Sequence, residues 1–119
     1  MHAIETATGR VRWQATLGVS DNLPADKQAT GRPNVGGPIA TAGGLIFIGA
    51  TDDNRFRAFE SKTGNELWTV KLPASAHATP ATYKKDGRQF VVIVATGGSL
   101  VESPVEGDAV MAFALPARR

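Results

Sequence analysis

The sequence contains no cysteine and only two histidines, and both scarcities exclude classes of function. Without cysteine the chain can form neither a disulfide nor a thiolate metal site, and its redox compartment stays open. His2 and His77 have no second histidine at the spacing of a metal-ligand pair, so we interpret both as surface residues. We therefore predict no metal site and no nucleophilic triad that uses a histidine base.

Long apolar runs and clustered charge are also missing. The uninterrupted apolar runs, such as residues 90–95 and 109–115, are far shorter than the roughly 20 residues of a membrane-spanning helix. The 13 basic and 11 acidic residues are scattered along the chain, which argues against a nucleic-acid surface. The opening MHAIETATG lacks the regions of a secretory signal, and we expect it to begin partway through a structural element.

The sequence does contain short runs rich in β-branched and aromatic residues, separated by Gly, Pro or Asp. Asp86-Gly87 lies between two such runs and is the strongest hairpin signal in the chain. No stretch keeps a helical apolar period over the roughly ten residues that a helix assignment needs. The pattern therefore predicts an all-β chain with strands over residues 45–50, 55–60, 66–72, 90–95 and 109–115.

One pattern occurs twice, at a constant offset of 55 residues. The matching residues are Ala3, Glu5, Thr8, Gly9 and Trp13 in the first copy and Ala58, Glu60, Thr63, Gly64 and Trp68 in the second. Each copy predicts two strands joined by a Thr-Gly turn in which glycine takes a positive φ. The period is close to that of four-stranded propeller blades, so we predict a partial β-propeller of about two four-stranded antiparallel blades. A shared hairpin turn in an unrelated sandwich is the alternative.

The strand pattern divides the chain into four segments. They are the C-terminal hairpin of a preceding blade (1–17), a long polar loop (18–37), a complete blade (38–77) and an incomplete final blade (78–119). An incomplete blade leaves an open strand edge, and open edges recruit other strands. We therefore expect the chain to bind remaining propeller blades or another copy of itself as a homo-oligomer. In this hypothesis the N-terminal hairpin pairs with the last blade, within one chain or exchanged between two across an extended loop.

The pattern Ala-x-Glu-x-x-Thr-Gly-x-x-x-Trp resembles the tryptophan-docking repeat of quinoprotein dehydrogenases, eight-bladed propellers that use pyrroloquinoline quinone (PQQ). The segments similar to the C-terminal part of those enzymes are 36–68, 78–98 and 107–116. The membrane-associated sugar and polyol branch, typified by quinoprotein glucose dehydrogenase, is the most similar. The resemblance implies a C-terminal fragment of a periplasmic oxidoreductase. Such an enzyme oxidises a sugar, polyol or cyclitol hydroxyl with PQQ and Ca²⁺ and passes the electrons to a quinone.

The resemblance also implies roles for particular residues. The implied cofactor contacts are Gly36, Gly37, Asp53, Gly97 and Gly98. The implied structural docking residues are Thr8, Gly9, Trp13, Thr63, Gly64 and Trp68. Glycine would let the backbone approach a flat ring, although all four glycines are equally explained as turn residues, and Asp53 as part of an Asp-Asn turn. We expect Trp68 to be packed between blades, and Trp13, near the chain start, to be packed less fully.

The family's catalytic aspartate base and calcium ligands lie in blades that this chain does not contain. The resemblance therefore assigns no catalytic and no metal-binding residue here, and we expect the isolated chain to be inactive and to bind no cofactor tightly. Val35 and Gly97 stand where the alcohol-oxidising branch has tryptophans, which favours the sugar or polyol branch. Ser99 stands where glucose-type relatives often have His, which leaves the substrate open.

Two other functional classes fit the same repeats. One is a non-enzymatic propeller scaffold that binds a partner protein, although such scaffolds generally lack GGPIATAGG beside ATDDN. The other is an inactive remnant or split-gene product, for which the short chain is the main support.

Overall fold

The computed structural model describes residues 1–98 and 105–116, and the strands of these residues form three antiparallel sheets. The first sheet holds β1 (His2–Ile4) and β2 (Val11–Gln14). The second, in strand order, holds β3 (Ile39–Ala40), β4 (Leu45–Ile48), β5 (Arg55–Glu60) and β6 (Glu66–Lys71). The third holds β7 (Ala81–Lys85), β8 (Arg88–Ala95) and β9 (Ala109–Phe113). The all-β prediction is confirmed.

Each sheet lies within one of the segments predicted from the strand pattern, and the division of the chain into those segments stays a prediction. The predicted strand 55–60 coincides with β5, and the other four strands agree to within a few residues. The Asp86-Gly87 turn joins β7 to β8, with φ of 51° and 77° at its two central residues. Positive φ at both positions is what a two-residue hairpin turn requires.

The sequence repeat is also a structural repeat. Within β1–β2, Ala3 faces Trp13; within β5–β6, Ala58 faces Trp68. In both hairpins the register shifts immediately after the alanine. The same sequence pattern therefore produces the same strand pairing twice.

The turns of these two hairpins share their hydrogen bonds as well. Gly9 and Gly64 have φ of 71° and 74°, and the amide of each donates to the carbonyl of a glutamate, Glu5 or Glu60, at 2.8 Å. The threonine before each glycine donates its hydroxyl to the carboxylate of the same glutamate. Glu and Thr thus close the turn from outside, while glycine supplies the left-handed backbone conformation.

Two hydrophobic clusters hold the three sheets together. The cluster between the second and third sheets is formed by the buried residues Phe56, Leu72, Ala76, Val91, Ile93 and Ala95. The cluster on the other face of the second sheet is formed by Leu17, Ile48, Ala50 and Phe59, with Met1, Ala15 and Ile46 packed against it. β5 is therefore buried on both faces, because Phe56 belongs to one cluster and Phe59 to the other.

Trp13 docks on the turn of the second hairpin. Its indole N–H donates to the carbonyl oxygen of Ser61 at 3.0 Å. Its ring lies so close to Gly64 that a Cβ placed on that glycine would be 2.4 Å from Cε3 of the indole. Only glycine fits beneath the ring, so the second Thr-Gly turn is shaped to receive Trp13.

Trp68 is packed less fully than the sequence led us to expect. Its ring meets Phe56 and Phe113 edge to face, with centroid separations of 5.9 and 5.3 Å, but 38% of the residue stays exposed. The expectation that Trp68 is better packed than Trp13 is wrong, because the described chain provides a glycine turn only for Trp13.

The N-terminal hairpin and the long loop also differ from expectation. The β1–β2 hairpin forms its own sheet, and β9 pairs only with β8 among the described strands, so the expected pairing of hairpin and last blade within one chain is wrong. The loop 18–37 is not extended but folds back, with residues 17–20 bonded to residues 28–32 and a short 3₁₀ helix, Ala25–Lys27, at its tip. The exchange of the hairpin between two copies stays a prediction.

Candidate functional site

The residues that the resemblance marks as cofactor contacts lie at one end of the three sheets. This end, called the site end below, is formed by the segments 34–38, 49–54, 72–80, 96–98 and 105–108, which precede or follow strands on the same side. The Thr-Gly turns and the Asp86-Gly87 turn lie at the opposite end. The topology thus brings together Gly36, Gly37, Asp53, Gly97 and Gly98 from three separate parts of the chain.

Backbone hydrogen bonds tie the segments of the site end to one another. The amide of Val35 donates to the carbonyl of Ala50 at 3.0 Å, and the amide of Ala50 donates to the carbonyl of Ala76 at 2.6 Å. The amide of Gly97 donates to the carbonyl of Ser75 at 2.9 Å. These lateral bonds join the segments that enter and leave the second sheet to the segment 72–80 and, through it, to the segment that follows β8.

Gly36 and Gly37 are closely packed by the chain itself. A Cβ on Gly36, which has φ of 136°, would lie 2.6 Å from the carbonyl oxygen of His77. A Cβ on Gly37 would lie 3.0 Å from the hydroxyl of Thr79. The approach of neighbouring segments accounts for both glycines without a ligand.

The second glycine pair divides into a packed and an open position. A Cβ on Gly97 would lie 2.0 Å from the carbonyl oxygen of Val105, so this glycine is required by an internal approach of two backbones. Gly98 has φ of 137° and no other described atom within 4 Å of where its Cβ would be. Gly98 is therefore not explained by a contact within residues 1–98 and 105–116, and its role as a cofactor contact stays a prediction.

Asp53 lies in a buried network of hydrogen bonds. Its side chain and that of Arg57 are each only 2% exposed, and the guanidinium binds both carboxylate oxygens. The hydroxyl of Thr51 donates to Oδ1 at 2.6 Å, and the backbone amide of Val19 donates to Oδ2 at 2.9 Å. Burial alone would raise the pKa of Asp53, but the hydrogen bonds from Arg57 and Thr51 outweigh it and the pKa is lowered.

All the acceptor positions of the Asp53 carboxylate are therefore used by the protein. An ionised carboxylate has about four lone-pair sites, and Asp53 accepts four hydrogen bonds within the chain. The role of Asp53 as a direct cofactor contact stays a prediction. The geometry favours an indirect role, in which Asp53 holds its own loop and the segment around Val19.

Two further ion pairs fasten the loop 18–37 to the site end. Arg32 binds Asp52 with two hydrogen bonds, of 2.7 Å from Nε and 2.5 Å from Nη2. Arg55 binds Asp21 with two more, of 2.9 and 2.8 Å. The hydrogen bond from Arg55 lowers the pKa of Asp21 to about 2. The adjacent Asp52 and Asp53 thus bind different arginines. Asp52 pairs with Arg32 of the loop, whereas Asp53 pairs with Arg57 of β5 and accepts the amide of Val19 from the loop.

His77 is half-buried at the site end, so its interpretation as a surface residue is wrong. Its Nδ1 lies 3.0 Å from the carbonyl oxygen of Ala50 and 3.3 Å from that of Val35. Both partners are acceptors, so Nδ1 carries the proton and joins the lateral bonding of the two segments. No group of three or more His, Asp or Glu side chains within residues 1–98 and 105–116 is arranged to hold a metal ion.

Residues 1–91 match the family model described as PQQ: Glucose/ethanol/alcohol dehydrogenase, beta-propeller domain. The chain belongs to this PQQ dehydrogenase family. It is 44% identical over 97% of its length to the quinate/shikimate dehydrogenase (quinone) of Acinetobacter baylyi and 40% identical over 96% to the quinoprotein glucose dehydrogenase of Escherichia coli K12. A solved structure of quinohemoprotein alcohol dehydrogenase ADHIIG from Pseudomonas putida HK5 resembles it with a TM-score of 0.59 and 29% identity, covering 82% of this chain and 12% of that one.

The chain spans about 15% of the length of the curated relatives it matches. The family-model match and these relatives confirm the predicted propeller class and the resemblance to quinoprotein dehydrogenases. No helix of the part of the chain that the structure describes is both long and apolar enough to cross a membrane. Ser99, which bears on the substrate, lies outside the described residues.

The residues of the site end fit a PQQ dehydrogenase in part. No described atom lies within 4 Å of the Cβ position of Gly98, whereas Gly36, Gly97 and Asp53 are occupied by internal contacts. Sequence reasoning missed Arg57. A charged side chain between two phenylalanines of a strand is ordinarily interpreted as an exposed position, and only the preceding Asp-Asp pair could have indicated its partner.

Proposed function

We propose that this chain is the C-terminal part of a PQQ-dependent dehydrogenase that oxidises a sugar, polyol or cyclitol hydroxyl and passes the electrons to a quinone. The supporting observation is the convergence of two glycine pairs, Gly36-Gly37 and Gly97-Gly98, at one end of the sheets, with no described atom within 4 Å of the Cβ position of Gly98. The relatives at 40% identity or more, named as glucose and quinate/shikimate dehydrogenases, support the same reaction class.

When bound, PQQ would supply the two-electron acceptor, and a calcium ion held elsewhere in the enzyme would polarise the quinone. The contribution of this chain is positioning. Its site end brings the Gly36-Gly37 and Gly97-Gly98 segments to the same end of the sheets, and the lateral hydrogen bonds connect them through residues 50, 75 and 76. Val35 and Gly97 stand where the resemblance implies tryptophans in alcohol-oxidising relatives, which favours a substrate of the sugar or polyol branch. A periplasmic location follows from the resemblance to the glucose dehydrogenase branch.

The isolated 119-residue chain is expected to be inactive. The buried carboxylates of the site end, Asp52 and Asp53, are bound to arginines and are not free to accept a substrate proton. The loss of a positioned base removes a factor of about 10² to 10⁴ in rate. Purified chain mixed with PQQ, Ca²⁺, glucose and an electron-accepting dye should give no PQQ-dependent reduction, and turnover that required PQQ would contradict this expectation.

A segment exchange tests the proposed function directly. The matching segment of the Escherichia coli quinoprotein glucose dehydrogenase is replaced by this chain, and dye reduction is measured with glucose, quinate and glycerol across a PQQ titration. Activity that depends on PQQ is expected, with the substrate ranking reporting the contribution of this segment. A chimera that folds and shows no PQQ-dependent reduction with any substrate would refute the proposal.

The chain offers a matched pair of glycines for this experiment. Gly98 and Gly9 both have positive φ, and neither has a described atom within 4 Å of its Cβ position, but Gly98 lies at the site end and Gly9 at the opposite end. Ala at Gly98 is expected to weaken the apparent affinity for PQQ in the chimera, and Ala at Gly9 to leave it unchanged. Equal effects of the two substitutions would remove Gly98 from the cofactor site.

A further inference from the structure

The buried pair Arg57–Asp53 joins two parts of the chain that the propeller repeat does not itself connect. Arg57 projects from the middle of β5 toward the cluster that contains Phe59, and its guanidinium also binds the hydroxyl of Thr51 at 3.2 Å. Asp53 reaches out of the sheet to the amide of Val19, at the start of the loop 18–37. The Asp53 carboxylate therefore links β5 to the loop 18–37.

Burial of this pair needs an explanation beyond stability. Removing two charges from water costs free energy that their mutual attraction only partly offsets, and apolar replacements of buried ion pairs are often neutral or stabilising. Here both side chains are 2% exposed, and no buried side-chain N or O atom among the described residues lacks a hydrogen bond. A fully satisfied buried network specifies one arrangement of the groups that it binds.

The arrangement that it specifies is that of the loop 18–37. The two arms of this loop are joined by backbone bonds, from Gly31 to Gly18 at 3.1 Å and from Arg32 to Leu17 at 2.9 Å. Holding Val19 on the first arm therefore holds the second arm, which leads directly into Val35 and the Gly36-Gly37 segment. The Arg32–Asp52 pair fixes the second arm again, from the neighbouring carboxylate.

We propose that Arg57 and Asp53 are positioning residues that lock the loop 18–37 onto the second sheet and thereby fix the Gly36-Gly37 segment at the site end. Long loops without regular structure are usually functional, and this one ends at the segment that the proposed function places near the cofactor. The locking can be tested without that function. Only the consequence for the cofactor rests on it.

Hydrogen exchange of the purified 119-residue chain tests the locking. The readout is the amide of Val35, which is bonded to Ala50 and lies far along the chain from either positioning residue, compared with the amide of Ile93 in β8. Arg57→Met, which keeps the length of the side chain, is expected to speed exchange at Val35 at least about tenfold while exchange at Ile93 changes by less than about twofold. Parallel acceleration at both amides would show a general structural role and would overturn the proposal.

A second variant keeps the test decisive if Arg57→Met does not fold. Arg32→Gln removes the partly exposed fastening of the loop and leaves Arg57 and Asp53 in place, so it is expected to speed exchange at Val35 by a smaller factor. Arg12→Gln is the matched control, because it breaks an exposed pair with Glu5 outside the loop. Unchanged exchange at Val35 in folded Arg57→Met, or in Arg32→Gln where Arg57→Met does not fold, would overturn the locking.

The consequence for the cofactor is measured in the segment-exchange chimera. Arg57→Met is expected to raise the PQQ concentration for half activation at least about fivefold while the glucose KM changes by less than about twofold, and Arg57→Lys to restore part of the affinity. Faster hydrogen exchange at the amide of Val35 together with an unchanged PQQ affinity would overturn the positioning role. A parent chimera whose activity does not respond to PQQ would instead refute the proposed function. The hydrogen-exchange rates of the 119-residue chain would still decide whether Arg57 and Asp53 lock the loop 18–37.

Discussion

Gly64 and Gly9 provide a controlled test of how one hairpin receives a tryptophan. Both glycines close the same Thr-Gly turn, with φ of 74° and 71° and with the same hydrogen bond to a glutamate carbonyl. They differ in what lies above them. A Cβ on Gly64 would be 2.4, 2.7 and 3.0 Å from three ring carbons of Trp13, whereas a Cβ on Gly9 would meet no described atom within 4 Å.

The difference sets the expected energies. Alanine in the left-handed region costs about 1 to 2 kcal/mol, partly offset by the smaller backbone entropy of the unfolded chain, so Gly9→Ala should cost about 1 kcal/mol. Gly64→Ala carries the same cost and must also displace the indole, which adds about 1 to 3 kcal/mol of overpacking. Carbon atoms pack favourably at about 3.5 to 4.0 Å, so the contacts at Gly64 cannot be relieved by a small adjustment.

A double-mutant cycle isolates the contact between the ring and the turn. Free energies of unfolding from urea titration are measured for Gly64→Ala, Trp13→Ala and both together, with Gly9→Ala as the control for backbone strain. In the Trp13→Ala background the cost of Gly64→Ala should fall to about that of Gly9→Ala, because the obstructing ring is gone. Equal costs for Gly9→Ala and Gly64→Ala in the parent chain, or a coupling below about 0.5 kcal/mol, would refute the docking geometry.

Three further outcomes are expected from the packing and the charges. Trp13→Phe should lose the indole hydrogen bond and cost about 0.5 to 1.5 kcal/mol in urea titration, more than Trp68→Phe, and the reverse order would contradict the docking. Gly97→Ala should destabilise the chain by more than about 2 kcal/mol, because its Cβ would lie 2.0 Å from a carbonyl oxygen. The Arg55–Asp21 pair should persist at about pH 4 and be lost as pH falls toward about 2, because a carboxylate whose pKa is lowered in the folded state stabilises the fold at pH values above its unfolded-state pKa. Carbon NMR of the Asp21 carboxyl monitors this loss, and titration of that carboxyl near pH 4 would contradict the prediction.

The parts of the fold that the sequence predicts are those with short-range physical signals. β5 is predicted because Phe56 and Phe59 lie in a run bounded by turn residues, and the Asp86-Gly87 turn is predicted because its two positive φ angles restrict the residues that can occupy it. The repeat predicts the hairpins for the same reason. Each signal depends on a residue and its immediate neighbours.

The order of burial of the two tryptophans depends instead on long-range contacts. Trp13 finds a glycine turn 51 residues further along the chain, at Gly64, and the corresponding receptor for Trp68 is missing from the described residues. A repeat in sequence therefore predicts two equivalent side chains without predicting that both have equivalent neighbours. The packing of Trp68 is determined by the structure that lies against the second sheet, which no pattern around Trp68 encodes.

The site end shows the same division between local and long-range information. The glycines of this region are recognisable from sequence, but the structural reasons for them differ. An internal carbonyl occupies the space beside Gly36 and Gly97, whereas no described atom lies within 4 Å of the Cβ position of Gly98. Asp53 and Arg57 are only four residues apart, yet Asp53 also accepts a hydrogen bond from the amide of Val19, which is 34 residues away from it. Because that amide lies on a loop without a periodic pattern, the sequence leaves Asp53 open between a cofactor contact implied by resemblance and an Asp-Asn turn. The structure shows its carboxylate bound to Arg57, Thr51 and Val19, and its role toward the cofactor stays a prediction.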